Sequence, residues 1–184
     1  DALGGDGDKR LCVIGRDSVG NSQEKSNATN YNWEKDTEAP VAVLIDTPLN
    51  PSNETSLDVF VSGNSVVSYK YVVADQTTPC ASLTFSTSWV PISTRITDAL
   101  NDDGPLRLCV IGKDAAGNVQ SLASASQHNW TLDTEAPTVV LSSLPASHSK
   151  VTTLNVTVGG AGVTSYKHVI TTQANHCASV AVNG

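Results

Sequence analysis

The side chains most able to bind a ligand are acids and amides that recur at one fixed spacing. Each has a counterpart 97 residues away: Asp6 with Asp103, Asp17 with Asp114, Asn21 with Asn118, Asp36 with Asp133, and Glu38 with Glu135. Carboxylate and amide oxygens are hard ligands, and Ca²⁺ takes six to eight such oxygens in proteins. The pattern is therefore typical of a structural cation site, although Asp and Asn also cap turns.

The histidines and the catalytic motifs point away from an enzyme. His128 and His168 align with Tyr31 and Tyr71 in the other copy of the repeat, and the other two histidines align with prolines. The chain has no GxSxG, phosphate loop or HExxH motif, which are the usual marks of hydrolases, nucleotide enzymes and zinc proteases. It also has no CxxC and no histidine pair at zinc spacing. We expect no catalytic site.

The spacing of the acids belongs to a repeat of the whole sequence. Residues 1–87 align with 98–184 without a gap, at 41 identical positions of 87. A period of 97 residues suits one compact domain per repeat. If the recurring DTEAP marks the joint, 1–35 ends one repeat, 36–132 is complete, and 133–184 begins a third. We therefore expect a chain truncated at both ends.

Four cysteines form two repeat-related pairs of positions, Cys12 with Cys109 and Cys80 with Cys177. Within the complete repeat the natural disulfide is Cys80–Cys109, and closing a loop of about 30 residues should stabilise the fold by roughly 3–4 kcal/mol. Cys109 is out of phase with the apolar residues of its strand, which places it on the outer face of its sheet. Cys12 and Cys177 would then pair with residues outside this chain or on a neighbouring chain. Buried reduced thiols are the alternative.

Composition and periodicity predict an all-β fold. Ser, Thr and Val dominate beside 13 Gly and 8 Pro, and Met is absent, as expected for short strands separated by turns. Alternating apolar residues predict seven strands in the complete repeat, the number of an immunoglobulin-type sandwich. The predicted strands are 41–45, 57–61, 67–73, 82–85, 89–96, 106–111 and a last one that ends at 132.

One stretch of the repeat resembles a known family. The string DGPLRLCVIGKDAAGN at 103–118, followed by DTEAP, is similar to bacterial immunoglobulin-like domains repeated in large secreted adhesins and surface fibres. The resemblance covers essentially the whole chain and implies tandem immunoglobulin-like β-sandwich repeats. The chain departs from antibody domains, because its second strand has no Cys and its repeated Trp lies in the last strand.

The sandwich fold would gather the recurring acids at the joint between repeats. The loop between the last two strands should lie near the start of its own domain, and the preceding domain should contribute its opposite end. The predicted Ca²⁺ ligands are therefore Asp36, Glu38, Asp114, Asn118 and Asp6. The resemblance agrees, because such adhesin arrays commonly stiffen their joints with Ca²⁺. Turn capping without metal is the alternative.

Charge narrows the expected partners. A net charge of −7 and a pI near 4.8 disfavour nucleic acid and anionic membranes, which attract basic patches. No apolar run approaches the roughly 20 residues of a membrane span, so no membrane insertion is expected. Disulfides imply an oxidising compartment, so we expect the protein to be secreted or on the cell surface.

Three functions stay open. The first is a structural stalk of an extracellular fibre or adhesin, whose partners are neighbouring repeats of the same or an identical chain. The second is a carbohydrate- or protein-binding module that recognises an unknown ligand on a host or prey cell, for which Trp89 is the one candidate aromatic. The third is a subunit of a polymeric filament, in which the strands of 133–184 complete those of 1–35 in another chain. Ten residues equivalent to 88–97 would be missing from that composite.

Overall fold

A computed structural model describes residues 2–172 and Cys177 of the chain. The described residues fold as antiparallel β-sheets and three short 3₁₀ helices, and the chain divides after Thr134 into two compact units. The rest of the predicted third segment, 173–176 and 178–184, lies outside the described residues. The strands are β1 (Gly7–Val13), β2 (Thr29–Lys35), β3 (Val43–Ile45), β4 (Phe60–Ser62), β5 (Ser68–Asp75), β6 (Val90–Pro91), β7 (Gly104–Lys113), β8 (Ser126–Leu132), β9 (Val140–Ser142) and β10 (Thr157–Gly159), and the 3₁₀ helices are η1 (Lys25–Asn27), η2 (Cys80–Ser82) and η3 (Leu122–Ser124).

The middle of the first unit contains the main hydrophobic core. One sheet has the order β6-β5-β7-β8 and the other pairs β3 with β4, an arrangement consistent with a β-sandwich. Residues at alternate positions of these strands point inward and exclude water from one another. The buried cluster consists of Ala42, Leu57, Val59, Val61, Tyr69, Ile96, Leu100, Leu108, Val110, Trp130 and Leu132.

The remaining strands repeat parts of this arrangement. At the start of the first unit, β1 pairs with β2 in the register that β7 and β8 show 97 positions later, from Gly7 opposite Lys35 to Val13 opposite Thr29. In the second unit, β9 and β10 pair as β3 and β4 do. The glycine after β4 recurs as well: a Cβ on Gly63 would lie 2.4 Å from the Val41 carbonyl oxygen, and one on Gly160 would lie 2.2 Å from that of Thr138.

Two expectations about the complete repeat need correction. The predicted strand 82–85 is wrong, because the chain forms η2 there and continues without strand pairing. The predicted strand 89–96 is reduced to β6 and an isolated bridge between Ile96 and Val59. Both segments pack against the sandwich as loops, so tertiary contacts override their strand-like composition.

The expected disulfide is present between Cys80 and Cys109, with the Cα atoms 5.7 Å apart. Cys109 lies on the face of β7 opposite to the core, as its phase predicts, but it is fully buried. The reason is that η2 and η3 contact each other over this face, and the Gln127 side-chain oxygen approaches the Cys80 sulfur to 3.5 Å. The bridge therefore lies beneath a small second layer.

A buried amide, Gln120, joins three segments of the complete repeat. Its Oε1 accepts hydrogen bonds from the backbone N–H groups of Ala42 (2.9 Å) and Gly112 (3.0 Å). Its Nε2 donates to the carbonyl of Ser124 at 2.7 Å and to the Ser126 hydroxyl at 3.3 Å. The side chain is 2% exposed, so it satisfies backbone groups that water does not reach.

Replacing Gln120 by Ala should lower the free energy of unfolding by about 2–4 kcal/mol, because it leaves two buried N–H groups without an acceptor. Gln23, its counterpart 97 residues earlier, accepts from Gly15 N–H at 3.1 Å in the hairpin that lacks a sandwich around it. Gln23→Ala is therefore the matched control, with a change within about 0.5 kcal/mol. Urea denaturation followed by circular dichroism measures both, and equal effects would contradict this role of Gln120.

Candidate functional site

The loop between β7 and β8 is held together by Asp114. Its Oδ1 accepts hydrogen bonds from the N–H groups of Gly117 (2.7 Å) and Asn118 (2.8 Å), and its Oδ2 accepts from the Asn118 side-chain amide at 2.9 Å. Gly117 has a φ of +98°, a conformation that favours glycine. Desolvation opposes ionisation of the nearly buried carboxyl, but the hydrogen bonds from Asn118 and Gly117 outweigh it and lower the pKa of Asp114.

The first copy of the repeat builds the same loop. Asp17 accepts from the N–H of Asn21 at 2.8 Å and from the Asn21 side-chain amide at 2.8 Å. The side-chain hydrogen bond from Asn21 is the main cause that lowers the pKa of Asp17. Because the loop forms even where no complete sandwich surrounds it, its geometry follows from its own sequence.

Asn118 also reaches the linker at the start of the complete repeat. The second hydrogen of its side-chain amide is donated to the backbone carbonyl of Asp36 at 3.1 Å. Four residues later, Pro40 is buried, and Ala42 lies in the core. The linker is thus attached to the sandwich that follows it.

The other side of the linker is held by an aspartate–threonine pair. Asp6 precedes β1, and its Oδ2 accepts from the Thr37 N–H at 2.9 Å, while the Thr37 hydroxyl and the Lys35 ammonium also donate to this carboxylate. The same pair recurs 97 residues later, where Thr134 donates to Asp103 from its N–H at 3.0 Å and its hydroxyl at 2.8 Å. Each pair ties the end of a hairpin to the linker that follows.

The Asp6 carboxylate is strongly stabilised in its ionised form. The hydrogen bond from the Thr37 backbone contributes most, followed by those from the Lys35 and Thr37 side chains, and together they lower the pKa of Asp6 from 3.8 to about 2. The pair should therefore stay intact at any pH well above 2.

The predicted calcium ligands are distributed over these two contacts. Asp114 and Asn118 lie together and touch the main chain of Asp36, whose own carboxylate accepts from the Glu38 N–H at 3.0 Å. Asp6 faces Thr37 and Lys35 instead. Among the described residues, no group of three or more His, Cys, Asp or Glu side chains converges as a metal site would require. The observed partners are mostly N–H donors, which is the turn-capping arrangement, and calcium at the joint stays a prediction.

Trp89, the candidate for ligand recognition, is half-buried next to two lysines. The Lys70 and Lys113 ammonium groups lie 5.2 Å and 4.6 Å from the centre of the indole ring, within the range of cation–π attraction. Lys70 recurs as Lys167, and Lys113 aligns with Arg16. The tryptophan therefore interacts with cations of its own repeat.

No family model matches the chain, and no curated protein matches it significantly. The part of the chain that the structure describes contains no helix long and apolar enough to cross a membrane. Functional inference therefore depends on the geometry of the joint.

The threonines of the joint were not singled out from the sequence. Thr37 and Thr134 are the second residues of the two DTEAP segments, and their recurrence beside recurring acids was the available signal. The sequence predicts acids such as Asp6 as metal ligands, whereas in the structure Asp6 accepts hydrogen bonds from the hydroxyl and N–H groups of Thr37. Gln120 was not singled out either, although a glutamine recurs at the equivalent position, Gln23.

The low pKa of Asp6 predicts the pH dependence of the joint. Since the pKa of Asp6 in the folded state, about 2, lies below the ordinary value of 3.8, the stabilisation is fully present above pH 4 and is lost as the pH falls through about 2. In NMR spectra, the Thr37 amide resonance should titrate with a midpoint near pH 2. Asp6→Asn is the control and should remove the transition. A midpoint near pH 4 would mean that the pair does not form in solution.

Proposed function

We propose that this chain is a segment of an extracellular fibre or adhesin stalk made of tandem immunoglobulin-like repeats. The observation that carries the proposal is the linker between repeats, which is held from both sides. Asp6 of the preceding hairpin binds Thr37, and Asn118 of the following sandwich binds the Asp36 carbonyl. A linker fixed at both ends transmits force and orientation from one repeat to the next.

The linker has little freedom of its own. Thr37 and Asp36 are adjacent, so the two contacts act on neighbouring residues, and Pro40 restricts the backbone of the segment that enters the sandwich. A flexible tether would instead be rich in Gly and Ser and free of such contacts. The recurrence of the aspartate–threonine pair at Asp103 and Thr134 supports a joint of the same design at each repeat.

The disulfide supports an extracellular setting. Cys80–Cys109 closes the segment around η2 onto β7, and such bonds persist in oxidising compartments. Calcium at the joint belongs to the same proposal. It would be supported by a melting temperature that rises with added Ca²⁺ and falls on chelation, with the effect lost in Asp114→Asn.

The residues that recur between copies of the repeat favour a stalk function over a binding module. The joint acids and threonines recur, whereas Trp89 already contacts two lysines of its own repeat. A stalk requires similar joints and tolerates variable surfaces. No catalytic role is part of this proposal.

The proposal can be tested in the intact protein of the source cell. A mass far above 19.2 kDa is expected, together with antibody labelling of a surface fibre by serum raised against residues 36–132. Deleting one 97-residue period at the genomic level should shorten the fibre by one domain, as seen by electron microscopy, and leave its attachment to the cell intact. Loss of all ligand binding with no change in fibre length would favour the binding module instead.

A further inference from the structure

The complete repeat is acidic, yet two of its few cations lie beside one tryptophan. Residues 36–132 carry ten acids and four bases. Arg95 forms ion pairs with two aspartates, and Arg107 donates hydrogen bonds to a side-chain amide oxygen and to a backbone carbonyl. The other two bases, Lys70 and Lys113, form no ion pair among the residues that the structure describes. Their charges are therefore not neutralised by a carboxylate of this part of the chain.

The strand register places both lysines and the tryptophan on one face of the repeat. Lys70 follows Tyr69 of β5, which is buried in the core. Trp89 precedes Val90 of β6, which pairs with Tyr69 and also packs on the core. Lys113 is out of phase with the residues of β7 that join the core. Since successive side chains of a strand point to opposite faces, all three lie on the outer face of the β6-β5-β7-β8 sheet.

The three side chains form one small surface, which we call the Trp89 patch and define as Lys70, Trp89 and Lys113. The two ammonium groups lie 5.2 Å and 4.6 Å from the centre of the same indole ring. All three residues are partly exposed, so a ligand can approach them from solvent. Cation–π attraction positions the ammonium groups but does not cancel their charge. The patch therefore combines an aromatic ring with two positive charges.

This combination fits a ligand that has both an apolar face and an anionic group. We propose that the Trp89 patch binds an acidic saccharide, a sugar that carries a carboxylate or a sulfate. The anionic group accepts charge-assisted hydrogen bonds from the lysines, while the C–H face of the sugar ring packs against the indole. The chain as a whole has a net charge of −7 and repels anions, so binding depends on this local positive charge.

A peptide is less well suited to the same surface. The strand next to the patch, β6, is the edge strand of its sheet, but it is two residues long. It therefore offers few N–H and C=O groups to a strand added by another protein. A saccharide needs only the ring and the two cations, which the patch supplies.

The positive charges of the patch recur in the other copies of the repeat. Lys70 is matched by Lys167, and Lys113 is matched by Arg16. None of the patch residues takes part in the contacts that hold the linker, so binding at the patch leaves the joint unchanged. In a tandem array, patches of this kind would contact one long acidic glycan at several points, and multivalency would raise its affinity above that of a single patch.

Titration of the 184-residue chain with three probes tests the ligand class. A chondroitin sulfate hexasaccharide carries both carboxylates and sulfates, chitohexaose is a neutral saccharide, and hexaglutamate is an acid without sugar. The first should shift the indole N–H resonance of Trp89 in NMR spectra and bind about tenfold more tightly than the other two. Equal binding of chitohexaose would mean that charge is not recognised, and equal binding of hexaglutamate would mean that sugar is not. Either result, or no binding of chondroitin sulfate, would overturn the proposal.

Variants of the patch identify the residues that bind. Lys70→Gln and Lys113→Gln should each weaken binding of the chondroitin sulfate hexasaccharide by about threefold, because each removes one positive charge at the surface. Trp89→Ala should weaken it by at least as much, and Trp89→Tyr, which keeps an aromatic ring, should retain most of the affinity. Lys150→Gln is the matched control: it makes the same change of charge at an exposed lysine of the second unit and should have no effect.

Circular dichroism melting curves verify that the complete repeat stays folded in every variant. Unchanged affinity in both patch lysine variants, or an equal loss in Lys150→Gln, would show that the oligosaccharide binds elsewhere and would contradict the proposal. The stalk proposal is tested by fibre length and does not depend on the result.

Discussion

The structure depends on one constraint: the apolar face of the β3–β4 sheet must be covered by the sheet in which β5 pairs with the hairpin formed by β7 and β8. Where that hairpin is present, Leu57, Tyr69 and Leu108 are almost completely buried. Burial of such side chains is the main favourable term in folding. The disulfide, the Gln120 hydrogen bonds and the loop around Asp114 all fasten this same hairpin to the rest of the repeat.

The contacts at the joint between repeats are made by residues of such hairpins. Asp6 lies just before the first strand of one hairpin, and Asn118 lies in the loop of the next. Both bind the short linker, so the covered core of one repeat is connected through hydrogen bonds to the strands of its neighbour. This continuity supports the proposed mechanical function, because deformation of the linker would break contacts at both ends.

Much of the architecture could be predicted from the sequence, because the repeat supplies an internal comparison. The 97-residue period relates the β1–β2 hairpin to the β7–β8 hairpin. The alternation of apolar residues in β7 places Cys109 on the correct face of its sheet, the one opposite to the core. Segment 82–85 was misassigned because its composition suits a strand while its position places it over the disulfide as η2. The full burial of Cys109 and the role of Gln120 could not be inferred from alternation alone, because both depend on segments that pack across the outer layer.

The acids predicted as site residues form hydrogen bonds in the structure, and their binding of Ca²⁺ stays a prediction. Asp6 and Asp114 were chosen as oxygen ligands, and their observed partners are N–H and hydroxyl donors nearby in the fold. A recurring acid is compatible with either role. The distinction requires the positions of Thr37 and of the turn backbone, which only the folded chain provides.

The most direct test compares one sequence in its two settings. The hexapeptide RLCVIG occurs at 10–15 in β1 and its adjoining loop, and at 107–112 in β7, and hydrogen exchange of both can be followed in the same dilute, reduced sample. The account predicts slow exchange throughout 107–112, where amides pair with both neighbouring strands, and fast exchange of alternate amides in 10–15, where only β2 is present. Equally slow exchange in both would contradict the claim that covering by the opposite half of the sandwich determines the state of this hairpin.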